Sequence, residues 1–176
     1  MANTSGPLMP GPDELFDVVN ARDEVVGQAP RREVHARQLL HRAVHILIFN
    51  PQGEVFLQQR SLAKDLAPGL WDSSCSGHVD AGEDYDQSAR RELGEELGLD
   101  LPAPPPRWFR TEAREETGWE FVWVYRLEHP GPFVLNPEEI SGGQWIRPCD
   151  LDRQIRDEPR IFSRAFRWIW ALAAAR

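Results

Sequence analysis

The sequence predicts an α/β protein in which a mixed sheet is sandwiched between helices, with an extra β-hairpin at the N-terminus. Three observations carry this. Apolar, β-rich runs lie on both sides of one well-marked central helix, an amphipathic helix closes the chain, and turn residues separate the strands at short intervals. With 176 residues, 41% of them hydrophobic and 27% charged, the chain has room for one domain with a real core. The expected organisation is a disordered Pro/Gly-rich lead-in over 1–12 and a single domain over 13–176.

Taken in order, 15–20 and 24–28 flank a short turn and read as a hairpin. The stretch REVHARQLL is either a short helix or an irregular connection. Residues 43–50 and 54–61 surround Pro51-Gln52-Gly53 and predict a second hairpin, whose almost wholly apolar first strand is central. LAKDLAPGLWD reads as loop and SSCSGHVD as a strand. A helix runs over 84–97, where Tyr85, Ala89, Leu93 and Leu97 recur every four residues as an apolar stripe and Gly98 suits a left-handed cap. PAPPP then ends regular structure. RWFRTEAR, WEFVWVYRL and GGQWIR read as strands, PGPFVLNPEEI as a long connection, DLDRQIRDE as a short helix and 160–175 as the closing helix. Alternation puts Trp119, Phe121, Trp123 and Tyr125 on one strand face, expected to be core.

The formal net charge of −8 argues against a nucleic acid polymer as partner, since phosphate-backbone binding needs a basic surface. It leaves small anionic substrates open, because a bound divalent cation reverses the local sign. Cys75 and Cys149 are too few for a disulfide scaffold or a thiolate zinc cage, which points to a reducing cytoplasm. The N-terminal residues have neither a basic start nor an apolar core, so no signal peptide is expected. No window is apolar enough to span a membrane.

One turn of the central helix carries Glu92, Glu95 and Glu96, fanned over about 100° of one face. Like charges at this spacing destabilise a helix by a few tenths of a kcal/mol per pair. Either the cluster is solvated surface or a cation sits on it. Hard carboxylate oxygens suit Mg²⁺ or Mn²⁺, which complete their shells with water and substrate phosphates.

The letters around the cluster favour the cation. Gly77, five residues, Glu83, seven residues, then Arg91-Glu92-Leu93-Gly94-Glu95-Glu96-Leu97-Gly98-Leu99 resembles the signature of the Nudix hydrolases at every defining position. The run from Phe16 to about Leu151 looks like the whole family domain. The resemblance implies an α/β/α sandwich and metal-assisted hydrolysis of a diphosphate linked to another moiety. By position, the Gly77 carbonyl, Glu92, Glu95 and Glu96 would hold metal, and Arg91 would pair with Glu83 to orient the helix. Glu95 or Glu96 would take the proton of the attacking water, with Glu138 or Glu139 in the NPEEI loop as rivals.

Within that superfamily the chain is also similar to the isopentenyl diphosphate isomerase branch, through LLHRAVHILIFN, LQQRSLAKDLAPGLWDSSCSGH and NPEEI followed by Gln144-Trp145. That likeness implies that Arg60 and Lys64, the only lysine, hold a substrate diphosphate. It also implies His41, His78 and Glu120 as extra metal ligands, with His35 one residue out of register for another. Two departures favour the hydrolase. Ser76 stands where the isomerases have a catalytic cysteine, and Gly118 replaces an acidic metal ligand. Cys75, one position early, would face the other side of an extended segment and reads as a small buried side chain. The expectation is a Mg²⁺-dependent (or Mn²⁺-dependent) pyrophosphohydrolase of a small-molecule diphosphate, working as a monomer or homodimer. An isomerase-like enzyme and a non-catalytic ligand sensor are the alternatives.

Overall fold

The computed structural model describes residues 14–176, so the expected lead-in over 1–12 lies outside the described residues. Strands β1 (Leu15–Val19) and β2 (Val25–Pro30) form the expected N-terminal hairpin. Its turn is held by Asn20, whose side-chain oxygen accepts from the backbone N–H groups of Arg22 and Glu24 at 2.8 and 3.2 Å. A short helix, α1 (Arg31–Ala36), follows. Then come β3 (His41–Phe49), β4 (Val55–Arg60), β5 (Trp71–Asp72), β6 (Cys75–His78), α2 (Tyr85–Leu97), β7 (Arg107–Thr111), β8 (Glu120–Glu128), β9 (Ile140–Ile146), α3 (Pro148–Asp157) and α4 (Arg164–Ala174).

Strand β3 is the centre of a mixed sheet. It runs parallel to β8 from His41↔Glu120 to Phe49↔Glu128 and antiparallel to β6 from Ala43↔His78 to Ile46↔Cys75. The second hairpin expected from sequence forms only at its mouth, where Phe49 faces Val55. Beyond that point β6 occupies the flank of β3 that a full hairpin would need. Strand β4 therefore splays away and takes β9 and β5 as its own antiparallel partners.

Alternation along β3 supplies both cores. Ala43, Leu47 and Phe49 pack with Val122, Val124 and the apolar sides of α3 and α4, including Leu151, Phe166 and Ile169. Val44, Ile46 and Ile48 pack on the other face with Tyr85, Ala89, Leu93 and Leu97 of α2. The result is an α/β/α sandwich. Tyr125 and Trp123 join the α2 side, but Val122 and Val124 are buried equally well on the other, because both faces of β8 are covered. Trp119 falls outside the alternation. It precedes β8 in a left-handed conformation (φ 68°), after a 3₁₀ turn over Glu115–Thr117.

Helix α2 starts at a capping box, in which the Asp84 carboxylate accepts from Gln87 N–H while the Gln87 side chain accepts from Asp84 N–H. It ends on Gly98 at φ 65°. The closing helix is shorter than the 160–175 expected. Pro159–Ile161 form a 3₁₀ turn, and α4 begins only after Ser163, whose hydroxyl caps Phe166 N–H at 3.0 Å. No helix among the described residues is long and apolar enough to cross a membrane.

Candidate active site

Strand β6 and helix α2 bring the two halves of the motif together. Glu92 approaches the strand so closely that a β-carbon on Gly77 would lie 2.0 Å from its Oε1. Glu96 is buried, and its Oε2 accepts from Gln58 Nε2 at 3.0 Å and from Ser76 N–H at 3.1 Å. Glu95, on the outer side of the helix, is more than half exposed. Burial, with Glu96 next in effect, pushes the Glu92 carboxyl well above its usual range, and burial lifts Glu96 to about 7. Both therefore sit where burial makes ionisation costly.

Arg91 ties the motif into one unit. Its guanidinium donates to both oxygens of Glu83 (3.0 Å at the shortest), to Glu92 at 2.7 Å, to Glu95 at 3.2 Å and to the His78 carbonyl at 3.0 Å. The expected Arg91–Glu83 pair is thus present within a wider network that fixes the helix against β6.

The three carboxylates open onto a cavity of about 190 Å³ that Arg31, Lys64, Asn136 and Glu139 also line. Lys64 makes an ion pair with Glu139 here. Of the two loop glutamates considered from sequence, Glu139 reaches this cavity, whereas Glu138 is exposed and does not line it. Arg60 lies next door, donating to the Leu66 carbonyl at 3.0 Å with Asp72 at 3.8 Å. It lines a larger cavity of about 530 Å³ that shares Arg31, Lys64 and Ser76–His78 with the first.

A second group of ligating atoms adjoins the carboxylates. His35, His41, His78 and Glu120 each place one such atom within 4.8 Å of the others. His41 Nδ1 meets the Leu39 carbonyl at 2.8 Å, which leaves Nε2 turned toward Glu120. Nε2 of His41 and of His78 lie 3.4 and 3.0 Å from Glu120 Oε1, yet both are buried without a hydrogen bond. Burial pushes His35 down to about 4, with His78 and His41 adding to the effect, and burial also lowers His78. Burial would raise Glu120, but His41 and His78 together hold it well below the carboxylate range. Phe16 of the N-terminal hairpin stacks on His78 at 4.6 Å between ring centroids, so that hairpin walls the cluster.

The structure brings together His41, His78 and Glu120, named from sequence as possible ligands, and adds His35, expected one residue out of register. His35 enters the group from α1. Two further residues had no signal in the sequence. Gln58 orients Glu96, and His45 is buried in the wall of the larger cavity with its Nδ1 2.7 Å from Ser73 Oγ. Ser76 and Cys75 do point to opposite sides. Ser76 lines the cavities, whereas Cys75 is wholly buried in the core under α2, and burial pushes its thiol well up. Gly118 caps the 3₁₀ turn at φ 71°, a left-handed conformation that favours glycine over an acidic side chain.

An α/β/α sandwich with this carboxylate helix packed on its sheet defines an enzyme of the pyrophosphohydrolase class. Comparison with known proteins gives the family. Residues 39–168 match the NUDIX domain, and the chain belongs to the Nudix hydrolase family. It is 38% identical to a Nudix hydrolase of Deinococcus radiodurans over 79% of this chain and 82% of that one. It is 31% identical to isopentenyl-diphosphate Delta-isomerase 2 of Photorhabdus laumondii over 89% and 90%. Among solved structures, DR0079 of D. radiodurans superposes with a TM-score of 0.75 at 35% identity, covering 82% of this chain and 90% of that one.

Proposed function

We propose that the protein hydrolyses the diphosphate linkage of a small organic diphosphate, a nucleotide or a related compound, with Mg²⁺ or Mn²⁺ as cofactor. The observation that carries this reading is the convergence of Glu92, Glu95 and Glu96 with Gly77 on one cavity that Lys64 also enters. The donor set fits a hard divalent cation. Three carboxylates meet there, two of them raised by burial, and the absence of a side chain at Gly77 lets Glu92 approach the strand. Glu92, Glu95, Glu96 and the Gly77 carbonyl would hold it. Bound there, such an ion neutralises charge on phosphoryl oxygens and acidifies an attacking water.

The chain's own residues do the rest. Lys64 and Arg60 bind the diphosphate oxygens, and Arg91 with Glu83 keeps α2 in place. Glu95, Glu96 and Glu139 all reach the cavity and are the groups available to take the water's proton. The histidine cluster with Glu120 is a second set that fits a metal, since two buried imidazole nitrogens aim at one carboxylate oxygen without bonding to it. Two free cysteines and no thiolate cage accord with a cytoplasmic setting.

The 31% identity to a protein named as an isomerase favours a second reading, isomerisation of an isoprenyl diphosphate. It meets an obstacle at Ser76, because the nearby thiol of Cys75 is sealed in the core. One panel separates the readings. Purified protein with Mg²⁺ is offered nucleoside di- and triphosphates, nucleotide sugars, dinucleoside polyphosphates and isopentenyl diphosphate, with Glu95→Gln as control. Metal-dependent cleavage that falls about a hundredfold or more in the control is the expected outcome. Conversion of isopentenyl diphosphate without change of mass, resolved by chromatography, would instead establish the isomerase. Binding without turnover of any compound would establish a sensor.

A further inference from the structure

The formal net charge of the chain is −8, yet the wall of the larger cavity collects Arg31, Arg60, Lys64, Arg160, Arg164 and Arg167. Four of these cations are matched. Arg31 pairs with Glu14 and Asp65, Arg60 lies by Asp72, Lys64 pairs with Glu139, and Arg164 pairs with Glu115 at 3.2 Å. The acidic groups in the same wall are engaged as well. Asp72 and Glu115 face the arginines just named, Glu116 pairs with Arg114 at 3.1 Å, and Glu120 Oε1 lies 3.4 and 3.0 Å from Nε2 of His41 and His78.

Arg160 and Arg167 are left over. Neither guanidinium has an ion pair or a side-chain hydrogen bond among the described residues; Arg160 is exposed at the rim, whereas Nε of Arg167 is buried without any acceptor. A buried guanidinium N–H without an acceptor is costly, and its planar fork matches the oxygens of a phosphate. Both residues belong to the part of the wall that the carboxylate cavity does not share. Arg167 is on α4, and Arg160 is in the 3₁₀ turn that leads into it. Leu66, Leu70 and Phe162 line the same cavity, whose volume of about 530 Å³ is that of a site for a small organic molecule.

We propose that Arg160 and Arg167 form a second anion subsite, which takes a phosphate monoester carried by the organic half of the substrate. Resting on the hydrolase reading, this narrows the substrate class to diphosphates whose attached moiety bears a further phosphate. The diphosphate lies at Lys64 and Arg60, the organic moiety lies along Phe162 and the two leucines, and the extra phosphate reaches the arginines.

Matched compounds that differ by one phosphate monoester test it: NADPH against NADH, and coenzyme A against its dephospho form. Binding is measured by calorimetry on Glu95→Gln protein, so the readout survives even if wild-type protein turns over none of them, which would count against the hydrolase reading alone. The expected result is at least tenfold tighter binding of the phosphorylated member of at least one pair. That preference should fall below twofold in Arg160→Gln/Arg167→Gln and persist in Arg156→Gln, a surface control on α3. Equal affinity within both pairs for the unsubstituted arginines would overturn the subsite. A preference that survives the double substitution would equally overturn its assignment to these residues.

Discussion

Gly77 and Glu92 occupy each other's space: a β-carbon on the glycine would stand 2.0 Å from Oε1 and 2.1 Å from the carboxyl carbon of the glutamate. The strand and the helix can therefore present a carbonyl and a carboxylate side by side only if position 77 has no side chain. Gly77→Ala must displace Glu92, and the displaced atoms are the far end of a flexible side chain rather than backbone. The fold should survive with a small change in Tm. Affinity for Mn²⁺, measured by calorimetry, should fall by about ten- to a hundredfold, the usual scale for disturbing a metal shell. A large loss of Tm with unchanged metal affinity would mean that the close contact serves packing alone.

Lys64 reaches both cavities and pairs with Glu139. A substrate diphosphate would compete with that carboxylate for the ammonium. Charge-assisted contacts of this kind are worth about 1.5–3 kcal/mol, so Lys64→Ala should raise KM by roughly tenfold or more. The rate at saturation should change less, because the contact is made equally before and during reaction. Steady-state kinetics on whichever compound the panel identifies reads both constants, and an unchanged KM would remove Lys64 from the substrate site.

Gly94 stands inside α2, exposed, and a β-carbon there would meet only the Leu99 carbonyl at 3.8 Å, an ordinary contact. Nothing in the structure requires glycine at this position. Gly94→Ala should therefore stabilise the protein by about 0.5–1 kcal/mol and raise Tm by about 1–4 °C in thermal denaturation. A loss of stability would mean that this helix face requires glycine after all.

Much of this was legible beforehand, for reasons tied to local chemistry. The run of β3 is apolar on both faces because both are covered, and Asp84, Gln87 and Gly98 mark α2 through capping alone. The carboxylate site was legible because one helix turn holds it. What escaped depends on distant partners. Strand β4 leaves β3 because β6, beginning fifteen residues after β4 ends, claims the flank. His35 joins its cluster because α1 packs beside β1 and Phe16, a placement that no local pattern encodes. The arginines of α4 gain meaning only when strands and turns remote in sequence close a cavity over them.

Burial lifts the Glu96 carboxyl from about 4.5 to about 7 and raises Glu92 too. A carboxyl raised on folding holds its proton more tightly in the native than in the unfolded chain. Its contribution to stability is complete below about pH 4.5 and is lost as pH rises through about 7. Metal-free protein should thus lose Tm across that window, and Glu96→Gln should flatten part of the slope. Mg²⁺ should act in the opposite sense, since it binds the ionised carboxylates, and its stabilising effect should grow with pH over the same range. Thermal melts at stepped pH, with EDTA and with Mg²⁺, show both trends; a wild-type slope identical to that of Glu96→Gln would contradict the assignment.

The histidine cluster should respond differently, and that difference makes it separable from the carboxylates. Burial and neighbouring imidazoles keep His35 down at about 4 and lower His78, so these nitrogens are already neutral near pH 7 and need expel no proton to ligate. Imidazole also suits Zn²⁺ better than it suits Mg²⁺, whereas the hard oxygens of the carboxylate site favour Mg²⁺ or Mn²⁺. Titrating EDTA-treated protein with Zn²⁺ should therefore find a site whose affinity varies little between about pH 7 and pH 8, unlike Mg²⁺ binding at the carboxylates. His78→Ala should weaken that site by at least about tenfold, while Glu95→Gln should leave it in place. If Glu95→Gln instead abolishes Zn²⁺ binding and His78→Ala does not, the histidines belong to the packing around Phe16 and hold no metal.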